Sequence, residues 1–510
     1  MNIGSSTQIL VIGGGPAGST TATLLAREGF DVTLLEREYF PRYHIGESLL
    51  ISVQPILDLL GVRDAIENHG FQKKKGVFWE WGDEHWLFNW ENLAYNYTFH
   101  VKREDFDHIL LKNAELKGVK VFQGIQVKSI SFNDSRPISA NWSEVGGNES
   151  GEIKFDYLID ASGRSGIMAN KYLNSIKYMK AFQNVAIWGY WNNTVIPQVG
   201  VEGPLSICSI PEGWLWGIPL SKKTMSIGLV MHKTLFTEYK KKYSLEEIYK
   251  KGMSKASLFQ DIVTSAELTS SLRVETDYSY LSEELTGPGY FLVGDAGCFI
   301  DPLLSSGVHL AMHSGLLAAA SLSSTIKKEI EEKMASEFYQ RSYRGHFFRW
   351  ALLVSTFYDV NKRKENYFWA AQQLTPDEVG TLGMHESDVK RVFATLVSGV
   401  VDFEAVQDAK ILENTTQCIT NYINDDSKDD LAKILESSKK RVFEYLDKVK
   451  QKDPLAASQR YHKSGFETFM LGLNSTSAIN NMYVVTNPSI GLAKKQRSKQ
   501  SPCTAVTTNI

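Results

Sequence analysis

Cysteine is scarce in this chain. Four residues among 510, Cys208, Cys298, Cys418 and Cys503, lie far apart with no C-x-x-C pair and no histidine cluster beside them. That spacing argues against a zinc site and against a disulfide framework. An excess of one charge is also lacking: 55 basic and 58 acidic residues leave a formal net charge of −3. Such a balance gives no pull toward nucleic acid or an anionic membrane. Nor is there a long apolar run, since the longest weakly polar stretch, Gly307 to Leu322, is short for a membrane span and holds His309 and His313. Met1 to Ser6 is too brief and polar for a secretory signal, so the expectation is a cytoplasmic protein in which N-x-S/T triplets such as Asn96-Tyr97-Thr98 carry no glycan. No internal repeat is found. The remaining composition is that of a globular protein, and the length suits a main body plus an appended domain.

The most informative stretch comes first. Thr7 to Ile12 (T-Q-I-L-V-I) reads as a buried strand, Gly13-Gly14-Gly15-Pro16-Ala17-Gly18 as a G-x-G-x-x-G turn, and the following residues to about Gly29 as a helix. Gly13 permits the tight turn, Gly15 lets backbone approach a pyrophosphate, and Gly18 allows close helix–strand packing. The amides around Gly14 and Ala17 are the expected phosphate donors at the helix N-terminus. A second strand, Phe30 to Leu35, ends in Glu36, placed to accept the ribose hydroxyls of an adenosine.

Further along, Pro41 and Gly46 mark a loop carrying Arg42 and Glu47, residues that either follow the ligand or form a surface ion pair. Lys73, Lys74 and Lys75 precede an aromatic strand beginning at Val77, in a region dense in tryptophan: Trp79, Trp81, Trp86 and Trp90. A helix opens near Arg103, and Phe155 to Arg164 is a strand ending in D-A-S-G-R. Alternating stretches between Val185 and His232 indicate a largely antiparallel sheet. Within it, Trp214 and Trp216 share one face, lining a cavity or filling a core. A strand from Tyr290 ends in Gly294-Asp295-Ala296, and after Asp301 to Gly307 a helix starts at Val308. The amides of Ser306 and Gly307 at that start either hold a small anion or are capped by Ser306 alone. Aromatic residues of the helical stretch 329 to 374, among them Phe347, Trp350 and Trp369, suit a pocket for a flat apolar ligand.

The glycine turn with Glu36, Arg103, D-A-S-G-R and G-D-A resemble, in order and spacing, the FAD-dependent monooxygenases of the aromatic-hydroxylase type. Three further segments resemble the flavin-dependent halogenases: W-L-W-G-I-P at Trp214 to Pro219, F-Q-K-K-K-G at Phe71 to Gly76, and D-P-L-L-S-S-G-V-H-L at Asp301 to Leu310. The resemblance implies an α/β protein with a Rossmann-like FAD-binding domain, an antiparallel substrate sheet and a C-terminal helical region. The expected boundaries are 1–385 for the flavin module, with the sheet inserted at about 77–100 and 180–280, 386–485 for the helical region, and 486–510 for a disordered tail.

For the site, the resemblance implies that Gly13, Gly14, Gly15, Ala17, Gly18, Glu36, Arg42, Glu47, Arg103, Asp295 and Val308 contact FAD, with Asp295 on the ribityl chain. It implies halide at Ser306 and Gly307, a barrier at Trp214 and Trp216 keeping substrate from flavin, and a catalytic amine at Lys74. The expected reaction runs from FADH2 and oxygen through a flavin hydroperoxide to hypohalous acid made from chloride or bromide, which Lys74 presents to an aromatic ring. A separate flavin reductase supplies the FADH2. Tryptophan halogenases place a glutamate two residues before the position of Ser306, and this chain has Leu304 there. A phenol activates its own ring without that carboxylate, so the expected substrate is a small phenolic aromatic polyketide or acylphenone, free rather than carrier-tethered. A flavin aromatic hydroxylase and a non-catalytic FAD-binding protein are the alternatives.

Overall fold

In the computed structural model, residues 3–82, 84–90, 95–362 and 481–494 are described. The strand Ser6–Ile12 is central because its apolar run is buried from Ile9 to Ile12. It pairs in parallel with Val32–Glu36 on one side and Ser150–Asp160 on the other. Tyr290–Leu292 and Lys120–Gln123 extend the parallel array outward, and an antiparallel pair, Ile125–Asn133 and Arg136–Glu144, leads into Ser150–Asp160. Helix Pro16–Arg27 covers the sheet and meets the long helix Gly307–Ile326 closely. A Cβ at Gly315 would stand 2.9 Å from the Ala17 carbonyl oxygen, so only glycine permits this approach. The longer helix is apolar nearly all round and buried along most of its length, as expected of a central core helix.

A second sheet stands over the carboxyl ends of these strands. Its order is Cys298–Phe299, Arg273–Ser282, Ile176–Asn192, Thr224–His232, Gly213–Pro219, Leu205–Ile210, Gly76–Trp81, Glu84–Asn89. All these neighbours run antiparallel except Leu205–Ile210 with Gly76–Trp81, which are parallel. The lysine triplet does not lead straight into this sheet. Gln72–Lys74 forms a separate ribbon with Thr98–His100, and Lys75 lies between, its N–H donated to the Glu202 carbonyl and its carbonyl accepting from Trp90.

The C-terminal expectation needs correction. Residues 363–480, which hold most of the anticipated helical region and Trp369, lie outside the described residues. The chain returns as a two-stranded hairpin, Met482–Val485 and Gly491–Lys494, within the stretch assigned to helix and disordered tail. Met482, Val484, Ile490 and Leu492 are buried, while the Ser323 hydroxyl donates to the Ile490 carbonyl and Glu28 accepts the Ile490 N–H. Polar composition concealed four apolar side chains at alternate positions, enough to seat a hairpin on the end of Gly307–Ile326.

Candidate active site

The glycine turn opens onto a cavity of about 790 Å³ that runs from Gly13, Gly15 and Ala17 to Trp214 and Trp216. This volume is in the range of small-molecule and cofactor sites. Gly13 sits at φ +105°, and a Cβ there would lie 2.3 Å from the Ala161 carbonyl oxygen. A Cβ at Gly18 would meet the Gly13 carbonyl oxygen at 2.0 Å, so Gly18 serves packing and does not line the cavity. Gly15 is the N-cap of Pro16–Arg27 and offers no side chain to its amides. The Ala17 and Gly18 amides precede the first helical bond, from Ser19 N–H to the Gly15 carbonyl. Gly14 departs from expectation: its N–H donates to Glu36 Oε2 at 2.7 Å, so it faces the carboxylate and not the cavity. Glu36 Oε1 accepts the Glu38 N–H at 2.8 Å, and each oxygen retains acceptor capacity toward the cavity that Glu36 lines.

Arg42 and Arg103 line the same cavity and are joined by a residue that motif reading did not single out. Asp107 Oδ1 accepts from Arg103 Nε at 2.8 Å, and Oδ2 accepts from Arg103 Nη2 at 2.9 Å and Arg42 Nη1 at 3.1 Å. Burial opposes the charge on Asp107, but the two guanidiniums outweigh it and hold its carboxyl below the usual range. The i, i+4 spacing of Arg103 and Asp107 on one helix was the available signal. Arg103 also donates to the Ile45 carbonyl at 2.7 Å, fixing the loop that carries Glu47. Glu47 is 3% exposed, and burial pushes its carboxyl up to about 7 against the hydroxyls of Ser226 and Tyr190 and the charges of Arg103 and Arg273. Asp295 lines the cavity as well, raised to about 6 by burial despite Arg164 and Arg103.

At the far end, the rings of Trp214 and Trp216 lie 5.9 Å apart, with Trp188 6.3 Å from Trp216. Gly228, paired with both Trp188 and Trp216, leaves room for this wall: a Cβ there would be 2.1 Å from the Trp216 ring. Ser305 adopts φ +56°, and the helix begins at Gly307 with no side-chain cap from Ser306. Capping by Ser306 is therefore not what the structure uses. The buried Ser306 Oγ has no hydrogen-bond partner, and Ser305, Gly307 and Val308 line the cavity while Ser306 does not.

Lys74 lies behind this end. It lines a second, nearly filled cavity of about 10 Å³ with Leu50, Val77, Trp79, Phe88, Trp90, Leu304 and others. Leu205, Ile207, Leu303 and Ser305 line both cavities and so form the partition. Lys74 Nζ donates to Ser48 Oγ at 2.8 Å and the Leu49 carbonyl at 3.1 Å, and stands 5.2 Å from the Trp90 ring centroid. Burial brings its amine down to about 7, a value at which the neutral nucleophilic form is populated near neutrality. Lys73 and Lys75 point outward, beside Glu67 and Glu202 respectively. Besides Asp107, sequence reading missed Ser48 as the Lys74 acceptor and the pair Tyr43 and Tyr190, whose hydroxyls lie 2.9 Å apart at the cavity edge. Alternation along V-A-I-W-G-Y-W would have put Trp188 and Tyr190 on one face.

These residues fit a flavin dinucleotide: uncapped helix amides beside a side-chain-free turn, a ribose-type carboxylate, and a long cavity that ends on a tryptophan wall. Together they define a FAD-dependent oxidoreductase of the aromatic-hydroxylase fold. The tryptophan halogenase family model matches residues 8–94 and 91–382. A tryptophan 2-halogenase of Chondromyces crocatus is 59% identical over 97% of this chain and 95% of its own length. A flavin-dependent halogenase of Penicillium aethiopicum is 37% identical over 82% of each chain. Among solved structures, the myxobacterial chondrochloren halogenase CndH, described as a variant of FAD-dependent halogenases, aligns with TM-score 0.67 and 31% identity over 78% of this chain and 90% of that one. The flavin-dependent brominase Bmp2, at 24% identity and TM-score 0.69 over 82% of this chain and 99% of its own, shares the fold. The chain belongs to the flavin-dependent halogenases and is an enzyme using FAD, halide and oxygen. No helix among the described residues is long and apolar enough to cross a membrane.

Proposed function

We propose that this enzyme halogenates a free aromatic small molecule whose ring is activated by its own heteroatom. The carrying observation is the lining of the lysine cavity. It brings Lys74 to the turn Leu303–Ser305 and is otherwise apolar, with Leu304 where a carboxylate would be needed to stabilise positive charge on an unactivated ring position. In this reading Gly13, Gly15, Ala17 and Glu36 hold the adenosine diphosphate part of FAD. Arg42, Arg103, Glu47, Asp295 and Val308 line the remainder. Gly18 and Gly14 shape the turn, Gly14 by anchoring Glu36. The amides of Ser306 and Gly307 hold halide, and Trp214 and Trp216 keep the ring from the flavin. Bound there, reduced FAD from a separate reductase would supply, with oxygen, the oxidation of chloride or bromide. Lys74 holds the electrophilic halogen, its amine fixed by Ser48 and the Leu49 carbonyl.

Two rings meet the electronic requirement. Indole carbon 2, adjacent to the ring nitrogen, needs no protein carboxylate, and the 59% identity to a tryptophan 2-halogenase favours tryptophan as the first substrate to try. The second is the phenol expected from Leu304. The test is an assay with purified protein, a flavin reductase, NADH, oxygen, chloride or bromide, and tryptophan beside a panel of phenols, with products read by isotope pattern. Halogenated product lost in Lys74→Ala supports the reading. Oxygen inserted into the ring without halide, or product from Lys74→Ala at the wild-type rate, overturns it.

A further inference from the structure

Three side chains form a hydrogen-bonded line ending on the larger cavity. The Tyr43 oxygen accepts from Trp188 Nε1 at 2.9 Å, and an indole nitrogen is a donor only. The Tyr43 proton is thereby directed to the Tyr190 oxygen, 2.9 Å away, and Tyr190 donates in turn to Glu47 Oε1 at 2.8 Å. Tyr43 and Glu47 both line the cavity, Tyr43 38% exposed and Glu47 3% exposed, with Glu47 Oε2 free of any hydrogen bond. Each donor thus points inward, from an exposed phenol to a buried carboxyl.

The reaction needs such a supply. Reduced FAD, oxygen, halide, arene and one proton give oxidised FAD, haloarene and two waters. Halide is oxidised by two electrons and flavin by two, oxygen is reduced by four, a carbon–halogen bond replaces a carbon–hydrogen bond, and one proton is taken up overall. Glu47 suits delivery because burial sets its carboxyl at about 7. The groups facing it are the Tyr190 and Ser226 hydroxyls and, at longer range, Arg103 and Arg273, and the Arg273 guanidinium also lies 3.7 Å over the Tyr43 ring. Burial and the Glu47 charge keep Tyr190 a neutral phenol, so it passes a proton by accepting one and donating another.

We propose that Tyr43, Tyr190 and Glu47 form a proton-transfer line carrying the proton consumed in each turnover from solvent into the flavin cavity. Glu47 releases its proton to the oxygen being reduced, Tyr190 reprotonates Oε1, Tyr43 reprotonates Tyr190, and solvent reprotonates Tyr43. One O–H bond breaks and one forms at each phenol oxygen; at Glu47 the proton leaves Oε2 and is replaced at Oε1, and rotation of the carboxyl group returns it to Oε2 for the next turnover. The proposal rests on the cavity holding the flavin.

Its test uses Tyr190→Phe and Tyr43→Phe, which keep the rings and remove the relay oxygens. FAD affinity is measured by fluorescence on the ligand-free protein. Stopped-flow absorbance then follows reduced FAD mixed with oxygen and bromide, across pH and in deuterated water. The expected result is a bromide-dependent phase slowed about tenfold or more in Tyr190→Phe, with an altered pH profile and solvent isotope effect and more hydrogen peroxide released. FAD affinity stays within about twofold, as general acid–base groups act on rate rather than binding. Tyr43→Phe shows the same changes to a smaller degree and serves alone if Tyr190→Phe does not fold. Wild-type rate, pH profile and isotope effect in the variants overturn the proposal. So does a loss of rate that only follows a loss of FAD affinity, which marks a packing role. Failure of wild type to bind FAD removes the cavity reading itself and is recognised by the affinity measurement alone.

Discussion

Lys74 donates to Ser48 at 2.8 Å, and Ser48 adjoins Glu47, with which it lines the larger cavity. The Ser48 hydroxyl therefore links the lysine amine to the larger cavity, which Ser48 lines beside the buried acid Glu47. Removing the hydroxyl with Ser48→Ala withdraws an acceptor that favours the charged amine, so the Lys74 pKa should fall further. The acid limb of the halogenation rate against pH should then move to lower pH, with FAD affinity unchanged in a fluorescence titration. A limb that stays in place would separate the rate from Lys74 ionisation.

Burial of Lys74 and Glu47 also leaves opposite signatures in stability. Lys74 is at about 7 when folded against 10.5 for an ordinary lysine, so between those limits the unfolded chain binds the extra proton and stability rises with pH. Glu47 is at about 7 folded against 4.5, so between 4.5 and 7 the folded chain binds the extra proton and stability falls as pH rises. Lys74→Met should therefore stabilise the protein relative to wild type most at pH 6, on the order of a few kcal/mol, and progressively less toward pH 10. Glu47→Gln should gain relative to wild type from pH 4 to pH 8. Denaturant melts at these pH values check both slopes.

The turn tolerates no side chain at Gly13. In Gly13→Ala the new methyl faces the Ala161 carbonyl in a left-handed backbone position, costing roughly 1–3 kcal/mol or forcing the loop open. FAD affinity should fall at least tenfold by equilibrium titration, with a lower melting temperature. Normal affinity would place the cofactor elsewhere.

Gly228→Val tests the tryptophan wall from beneath. The added side chain would overlap the Trp216 ring and displace it. If the wall keeps the substrate ring from the flavin, the expected result is a higher ratio of hydrogen peroxide or hydroxylated product to halogenated product, measured with FAD saturating. An unchanged ratio would assign the ring to packing.

Leu492→Ala probes the returning hairpin. Leu492 is 5% exposed, and truncation should cost about 2 kcal/mol, read as a lower denaturation midpoint. Retention of wild-type stability would mean that the hairpin contributes little to the core.

The flavin half of the fold was legible because its signals are local: a strand, three glycines and an acid at fixed spacing within one β-α-β unit. The lysine cavity was legible only in part. The triplet Lys73–Lys75 carries no local mark of which amine is buried, and the answer depends on a ribbon with Thr98–His100 and on Ser48, both distant in sequence. The partner of the Gly14 amide was not legible, because that amide can serve phosphate or Glu36, and the turn aims it at Glu36. The hairpin at Met482 was invisible for a similar reason, since a short apolar alternation in polar sequence gains meaning only from the helix it covers.

That hairpin makes the far end of the sequence part of the core. Helix Glu332–Lys362 and the hairpin Met482–Val485 and Gly491–Lys494 both belong to the described body. Chain beyond residue 480, expected to be the end of an appendix and a tail, is part of the core body as far as Lys494. A chain ending before Met482 would therefore lose packing from the end of Gly307–Ile326 and should unfold at a lower denaturant concentration.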